Sequence, residues 1–151
     1  MLNKIIIGIS QALDAEFNAV SKGYEIHTEG LEQGLDEPCF FIFSLKPMQT
    51  QIIRNRYKRD YSFDVHFFPD TALNEDGLST INTQINEVTE RLYDALEYIT
   101  VDGNLIRGTN MNGEKVDDVL HFFVNYDMYV IKVVAKEESM GDITITQKIG
   151  G

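Results

Sequence analysis

The chain has 151 residues, enough for one core without covalent staples, and its lone cysteine, Cys39, excludes an intrachain disulfide. Its 24 acidic residues outweigh 13 basic ones, a formal charge of −11 that repels phosphate backbones and anionic bilayers and argues against a nucleic-acid reader or a membrane-surface protein. No stretch approaches the ~20 apolar residues of a spanning helix, and the run Ile5-Ile6-Ile7 stops at Gly8 with no small-residue cleavage site after it, so an intracellular protein is expected.

From Asn3 to Val20, Ile5, Ile6, Ile9, Leu13, Phe17 and Val20 recur at helical spacing with polar residues between them, which predicts an amphipathic helix with one buried stripe. Gly8 inside it is costly unless another backbone approaches closely there, and Ser21-Lys22-Gly23 is the expected stop, with Gly23 as the cap. Tyr24 to Thr28 reads as a short strand, and the acidic stretch Glu29 to Pro38 as a surface loop. Cys39 to Leu45 is a nearly continuous apolar run and predicts a strand buried on both faces at its start, with Cys39 as a small core residue. Pro47 demotes the continuation of this strand to an edge or bulged position.

Gln49 to Arg56 is expected to form a hairpin whose tip projects beyond the core, leading into Tyr57 to Phe67. In that strand Tyr57, Tyr61, Phe63, Val65 and Phe67 share one face, and Lys58, Asp60, Ser62, Asp64 and His66 the other, the pattern of a half-buried antiparallel strand. After Pro69 and a linker from Leu73 in which Asp76 can cap, Leu78, Ile81, Ile85, Val88, Leu92, Ala95 and Ile99 step by three and four. That pattern predicts a helix from about Gly77 to Tyr98, lying on a sheet in preference to a coiled coil because its flanks are strands needing cover. Val101-Asp102-Gly103-Asn104-Leu105 predicts a hairpin turn and Asn112-Gly113 a second. Val116 to Val134 reads as a long strand in which Leu120, Phe122, Val124, Tyr126 and Met128 alternate, with a bulge expected near Met128 to Val130 where the phase switches to Ile131 and Val133. Ala135 to Asp142 breaks it, and Ile143, Ile145, Gln147 and Ile149 mark a terminal strand added after the core has closed.

The expected fold is therefore α+β: a mostly antiparallel mixed β-sheet with two main helices packed on one face, a long β-hairpin and a C-terminal strand. Residues 1–151 are expected to form one domain, of which 139–151 can be a C-terminal extension.

Chemistry-bearing motifs are scarce. His27, His66 and His121 each lack a histidine or cysteine at ligand spacing, although His66 and His121, both on strands, can approach across the sheet; hydrogen bonding or solvation is the expected state, and no metal, cofactor-binding or catalytic residue is assigned. No nucleophile elbow, phosphate loop or dinucleotide fingerprint occurs. The adjacent carboxylates Asp36-Glu37, Asp117-Asp118 and Glu137-Glu138 point apart in a strand or turn and are read as solvated. Two features stand out as interaction surfaces. Arg54, Arg56, Lys58 and Arg59 place four of the 13 basic residues within six positions of an acidic chain; they serve either as a solvated hairpin that blocks edge aggregation or as a tip docking on an acidic neighbour, with Arg54, Arg56 and Lys58 sharing a face if extended. The terminal strand, with Ile143 and Ile145, either pairs in its own sheet or adds to a partner's edge.

The layout resembles the tail terminator proteins of tailed phages, in particular those of contractile-tailed prophages and phage-like particles. The resemblance is carried by the helix Ile5 to Phe17, by Glu37-Pro38-Cys39-Phe40-Phe41-Ile42, by the hairpin entering Arg56-Tyr57-Lys58-Arg59-Asp60-Tyr61-Ser62-Phe63-Asp64-Val65-His66-Phe67-Phe68-Pro69, and by Asp118 to Val134 near the end of the chain. It spans most of the chain as a matter of layout, without a short diagnostic motif. It implies a non-enzymatic subunit without cofactors, assembled as a hexameric ring on the head-proximal end of the tail tube. Implied partners are further copies of the chain, the tube, sheath and neck or connector proteins, and DNA passing through the lumen without specific binding; no membrane is involved. The implied location is the bacterial cytoplasm during assembly and then the virion or tail-like particle. The alternatives are a head–tail connector or neck subunit and, from a different class, a small-ligand-binding α+β domain.

Overall fold

The computed structural model describes residues 1–21, 23–28, 36–73, 80–134 and 143–148. The elements in chain order are α1 (Leu2–Phe17), β1 (Glu25–His27), β2 (Cys39–Ser44), β3 (Met48–Ile53), β4 (Arg56–Phe68), a 3-10 turn (Thr71–Leu73), α2 (Thr80–Ala95), β5 (Tyr98–Val101), β6 (Asn104–Val116), β7 (Val119–Val134) and β8 (Ile143–Lys148). All eight strands join one sheet in the order β1-β2-β4-β7-β6-β5, with β3 also on β4 and β8 also on β7. Among the described residues only the β1–β2 pair is parallel. The fold is α+β with a mostly antiparallel sheet, as the strand and helix patterns predict.

Both helices cover the same face. Ile5, Ile9, Leu13 and Phe17 of α1 and Ile85, Val88 and Leu92 of α2 are buried in one cluster with Phe40, Phe63, Val65, Phe67, Phe122, Val124 and Tyr126 of the sheet. The stepping by three and four in α2 thus serves sheet cover and not a coiled coil. At Gly8 α1 approaches the β5 backbone closely: a Cβ there would lie 2.9 Å from the Thr100 carbonyl oxygen. Arg91 ties the two helices together. Its guanidinium donates to Glu16 Oε1 (2.9 Å) and to the Glu16 carbonyl (2.6 Å) and stacks 4.2 Å over the Phe17 ring.

β4 and β7 form the spine. They pair without interruption from Arg56↔Ile131 to Phe67↔Leu120. One end of this spine lies under the helices between β2 and β6. The other end carries β3 and β8 instead, at Met48↔Asp60 to Ile53↔Arg56 and at Tyr129↔Lys148 to Val134↔Ile143. β2 and β3 are thus two pieces of one edge along β4, separated where Pro47 interrupts them.

Several expectations are corrected. α1 stops at Phe17, and Val20 is fully exposed. The stop is made by Asn18 and not by Gly23: the Asn18 Oδ1 accepts the backbone N–H groups of Gly23 (3.1 Å) and Tyr24 (2.9 Å), while its Nδ2 donates to the Tyr24 carbonyl (2.9 Å). Asn112-Gly113 lies inside β6, and the turn comes later, at Asp117-Asp118, both with φ above +45° (50° and 61°) between the paired Val116 and Val119. Short acidic side chains tolerate the left-handed conformation that such tight hairpins need. The expected bulge at Met128 to Val130 is absent; burial continues in phase through Met128 and Val130, and the irregularity lies in β6 between Thr109 and Asn112. The expected turn at Val101 to Leu105 is present, with Asp102 and Gly103 at φ 52° and 77°. Helix α2 is described from Thr80, so the expected cap at Asp76 and start at Gly77 lie outside the described residues, as do Glu137-Glu138 and Ile149.

Candidate functional site

The uncovered face of the sheet bears the polar and half-buried groups. Alternation along β4 sends Arg56, Lys58, Asp60, Ser62, Asp64 and His66 to it, opposite Ile131, Tyr129, Asp127, Asn125, Phe123 and His121 of β7. Two regions of this face differ in chemistry.

The distal region, beyond the helices, carries the basic residues singled out from sequence. They do not act alike. Arg54 is in the β3–β4 turn at φ 49°, so it does not share an extended face with Arg56 and Lys58. Lys58 is engaged within the chain, bridging Asp60 (3.3 Å) and Asp127 (3.6 Å), which face each other across the ladder. The hydrogen bond to Asp60 and the charge of Asp127 raise the Lys58 pKa, whereas burial first, and then Asp60, raise that of Asp127. Arg59 turns to the opposite face and donates to Gln49 Oε1 at 2.9 Å. Among the described residues, Arg54 and Arg56 have no side-chain ion pair. Arg56 borders an apolar cleft of about 300 Å³ lined by Ile52, Ile53, Tyr129, Val130 and Ile131. Every residue of β3 is exposed, with Met48, Ile52 and Ile53 each more than half accessible. β8 pairs in its own sheet, with Ile143 opposite Val134 and Ile145 opposite Lys132.

The second region lies nearer the helices. The register sets His66 directly across from His121, and Asp64 two residues before His66 on the same strand. Both imidazoles converge on one carboxylate oxygen: His66 Nε2 lies 2.9 Å and His121 Nδ1 3.0 Å from Asp64 Oδ2. The two ring centroids are 4.0 Å apart, and the Phe43 ring lies tilted 4.5 Å from that of His66. Asp64 is 8% exposed, and its other oxygen, Oδ1, is buried without a hydrogen-bond partner. The strand pattern anticipates the approach of the two histidines but not the burial of Asp64. Alternation places Asp64 on the solvated face, and the aromatic neighbours that enclose it, Phe43 on β2 and Phe123 on β7, become visible only through the strand register. His27 stands apart, 3.1 Å from Glu25. Cys39 is fully buried, and burial together with nearby Glu37 pushes its thiol up to about 11, which leaves it protonated and unreactive near neutrality.

Among the described residues no nucleophile–base pair stands in a deep polar pocket, and no helix is long and apolar enough to cross a membrane. What the distal region offers is surface: open strand edges, an apolar cleft and free cations. Comparison with protein families matches residues 4–138 to the family described as phage tail terminator protein. The chain belongs to the phage tail terminator family. It is accordingly a structural protein of the phage tail and a virion component. No curated protein matches it. Among solved structures, one chain aligns over 90% of this terminator and 99% of its own length at 10% identity, with a TM-score of 0.39.

Proposed function

We propose that this terminator caps the head-proximal end of the tail tube as a ring of identical subunits, ends tube polymerisation, and presents its other side to the sheath or neck. Family membership carries the reading, and the exposed distal region supports it. A ring needs head-to-tail contacts between unlike patches of neighbouring copies. Arg54, Arg56, the exposed residues of β3 and the side of β8 that has no strand partner among the described residues supply one patch, for which the acidic remainder of a neighbour is the complement. Lys58 and Arg59 act in this reading by holding the ribbon in shape, and β8, which bears Ile143 and Ile145, by extending the edge of β7. Six copies and a contractile tail are the assembly we favour, with the strongly acidic chain letting DNA slide through the lumen. Assembly takes place in the bacterial cytoplasm, and no bond is made or broken in the process.

Electron microscopy of particles from a strain lacking the gene tests the proposal. Tails of uncontrolled length are expected. Tails of normal length that fail to join heads would make the protein a neck subunit instead.

A further inference from the structure

We propose that Asp64, His66 and His121 form a binding site for one first-row divalent transition ion, zinc fitting best, which staples β4 to β7 on the uncovered face of the sheet. Their ligand atoms all lie within 4.8 Å of one another. Two imidazole nitrogens and a carboxylate oxygen form a donor set suited to zinc, and a poor one for magnesium or calcium, which prefer oxygen ligands alone.

Three observations favour an ion over a hydrogen-bonded triad. First, in the triad one oxygen of Asp64 serves both rings while Oδ1 is buried with no partner, which is costly for a carboxylate. A cation bound at Oδ2 between the three groups neutralises the carboxylate and so lowers the cost of burying its unpartnered Oδ1. Second, the spacing is close to that of a loaded site. Tetrahedral zinc with bonds of about 2.0–2.1 Å sets neighbouring ligand atoms about 3.3 Å apart. The present 2.9 and 3.0 Å separations of Asp64 from the two histidines therefore open by only about 0.3–0.4 Å, and the two histidine nitrogens, which lie within 4.8 Å of each other, close by at most about 1.5 Å, a movement that imidazole rotation on facing strand positions can supply. Third, the ligands are held by the most continuous ladder in the molecule: His66 faces His121 in register, and Asp64 faces Phe123. Phe43 and Phe68 pack 4.5 and 6.4 Å from the His66 ring and give the apolar surround that strengthens metal–ligand attraction.

Three protein ligands leave a fourth position open. The β6–β7 register sets Glu114, an exposed carboxylate, beside His121 on the same face, where it can complete the set in place of water.

The test is titration of the full-length chain with zinc by calorimetry at neutral pH, repeated with cobalt to record its visible absorption. One ion per chain is expected, with cobalt bands of a low-coordinate nitrogen–oxygen site and a melting temperature that rises with zinc. His66→Gln and His121→Gln, each shown to be folded by circular dichroism, should weaken binding by about tenfold or more and abolish the cobalt bands. His27→Gln, outside the cluster, should change neither. If the folded wild type binds no zinc, or binds it equally in all three variants, the cluster is a hydrogen-bonded triad only and the proposal fails. Should a glutamine variant not fold, histidine side-chain NMR of the wild type decides: zinc must shift the His66 and His121 nitrogens and spare those of His27, and any other pattern overturns the site.

Discussion

The two ends of the β4–β7 spine are built from the same strands but held together differently. Under the helices, Phe63, Val65, Phe67, Phe122, Val124 and Tyr126 are fully or nearly fully buried, and the buried Tyr126 hydroxyl donates to the Leu96 carbonyl at 2.7 Å. In the distal ribbon, β3 is exposed throughout, burial among the described residues is confined to β7 residues such as Met128 and Val130, and further cohesion comes from ladder hydrogen bonds, the Lys58 bridge and Lys132 stacked 4.2 Å over Tyr57. The difference teaches where apolar burial is concentrated: the helix-bearing half carries most of it, and the other half exposes the surface to which the proposed assembly role is assigned.

Equal truncations in the two halves are the sharpest way to break this contrast. Leu92→Ala, at a fully buried site, should cost about 3 kcal/mol in urea unfolding. Ile53→Ala, at a site 59% exposed, should cost less than about 0.5 kcal/mol yet reduce ring formation by the folded protein in analytical ultracentrifugation. Similar losses at both sites would mean that the ribbon has a core of its own. Next in size is Gly108→Ala, because a Cβ there would meet the Leu96 carbonyl oxygen at 2.5 Å; about 2 kcal/mol of overpacking is expected from the same denaturation curves.

Lys58→Met leaves Asp60 and Asp127 opposed across the ribbon and should cost about 1 kcal/mol at neutral pH. The sign of its pH dependence follows from the raised Asp127 pKa. The stability that this carboxyl contributes is full when it is protonated and is lost as pH rises through its folded value. Removing Lys58, which lowers that value, moves it further up, so the penalty should shrink as pH falls from neutrality and Asp127 takes its proton. A penalty that is unchanged or larger on acidification would show that Lys58 stabilises the ribbon otherwise than by offsetting these two carboxylates. The smallest effect on folding is expected from Arg54→Glu with Arg56→Glu: stability within about 0.5 kcal/mol of wild type, with assembly weakened. Intact rings from that double variant would return the hairpin to plain solvated surface.

The sequence disclosed the covered half well, because burial there imposes strict periods: 3.6 in α1 and α2, and 2 in β4 and β7. It misled where a local cue outweighed register. Asn112-Gly113 is a strong turn pair, but the turn went to Asp117-Asp118, five residues on. Ile131 and Val133 suggested a phase change, yet they fall where the helix cover has ended, so apolar character there no longer reports burial. The Asp64 cluster was half legible, since two strand histidines can be paired on paper, but a carboxylate buried by phenylalanines from β2 and β7 depends on contacts between distant segments.

The unbroken pairing of β4 with β7 also has a mechanical side. Its twelve consecutive pairs span roughly 37 Å at strand rise, and no bulge interrupts them as a hinge would. Such a beam turns small motions into large ones: a tilt of about 5° at its anchored end carries the tip about 3 Å, the scale of a hydrogen bond. A neighbour gripping the tip would therefore sense, and could resist, slight reorientations of the helix-bearing body.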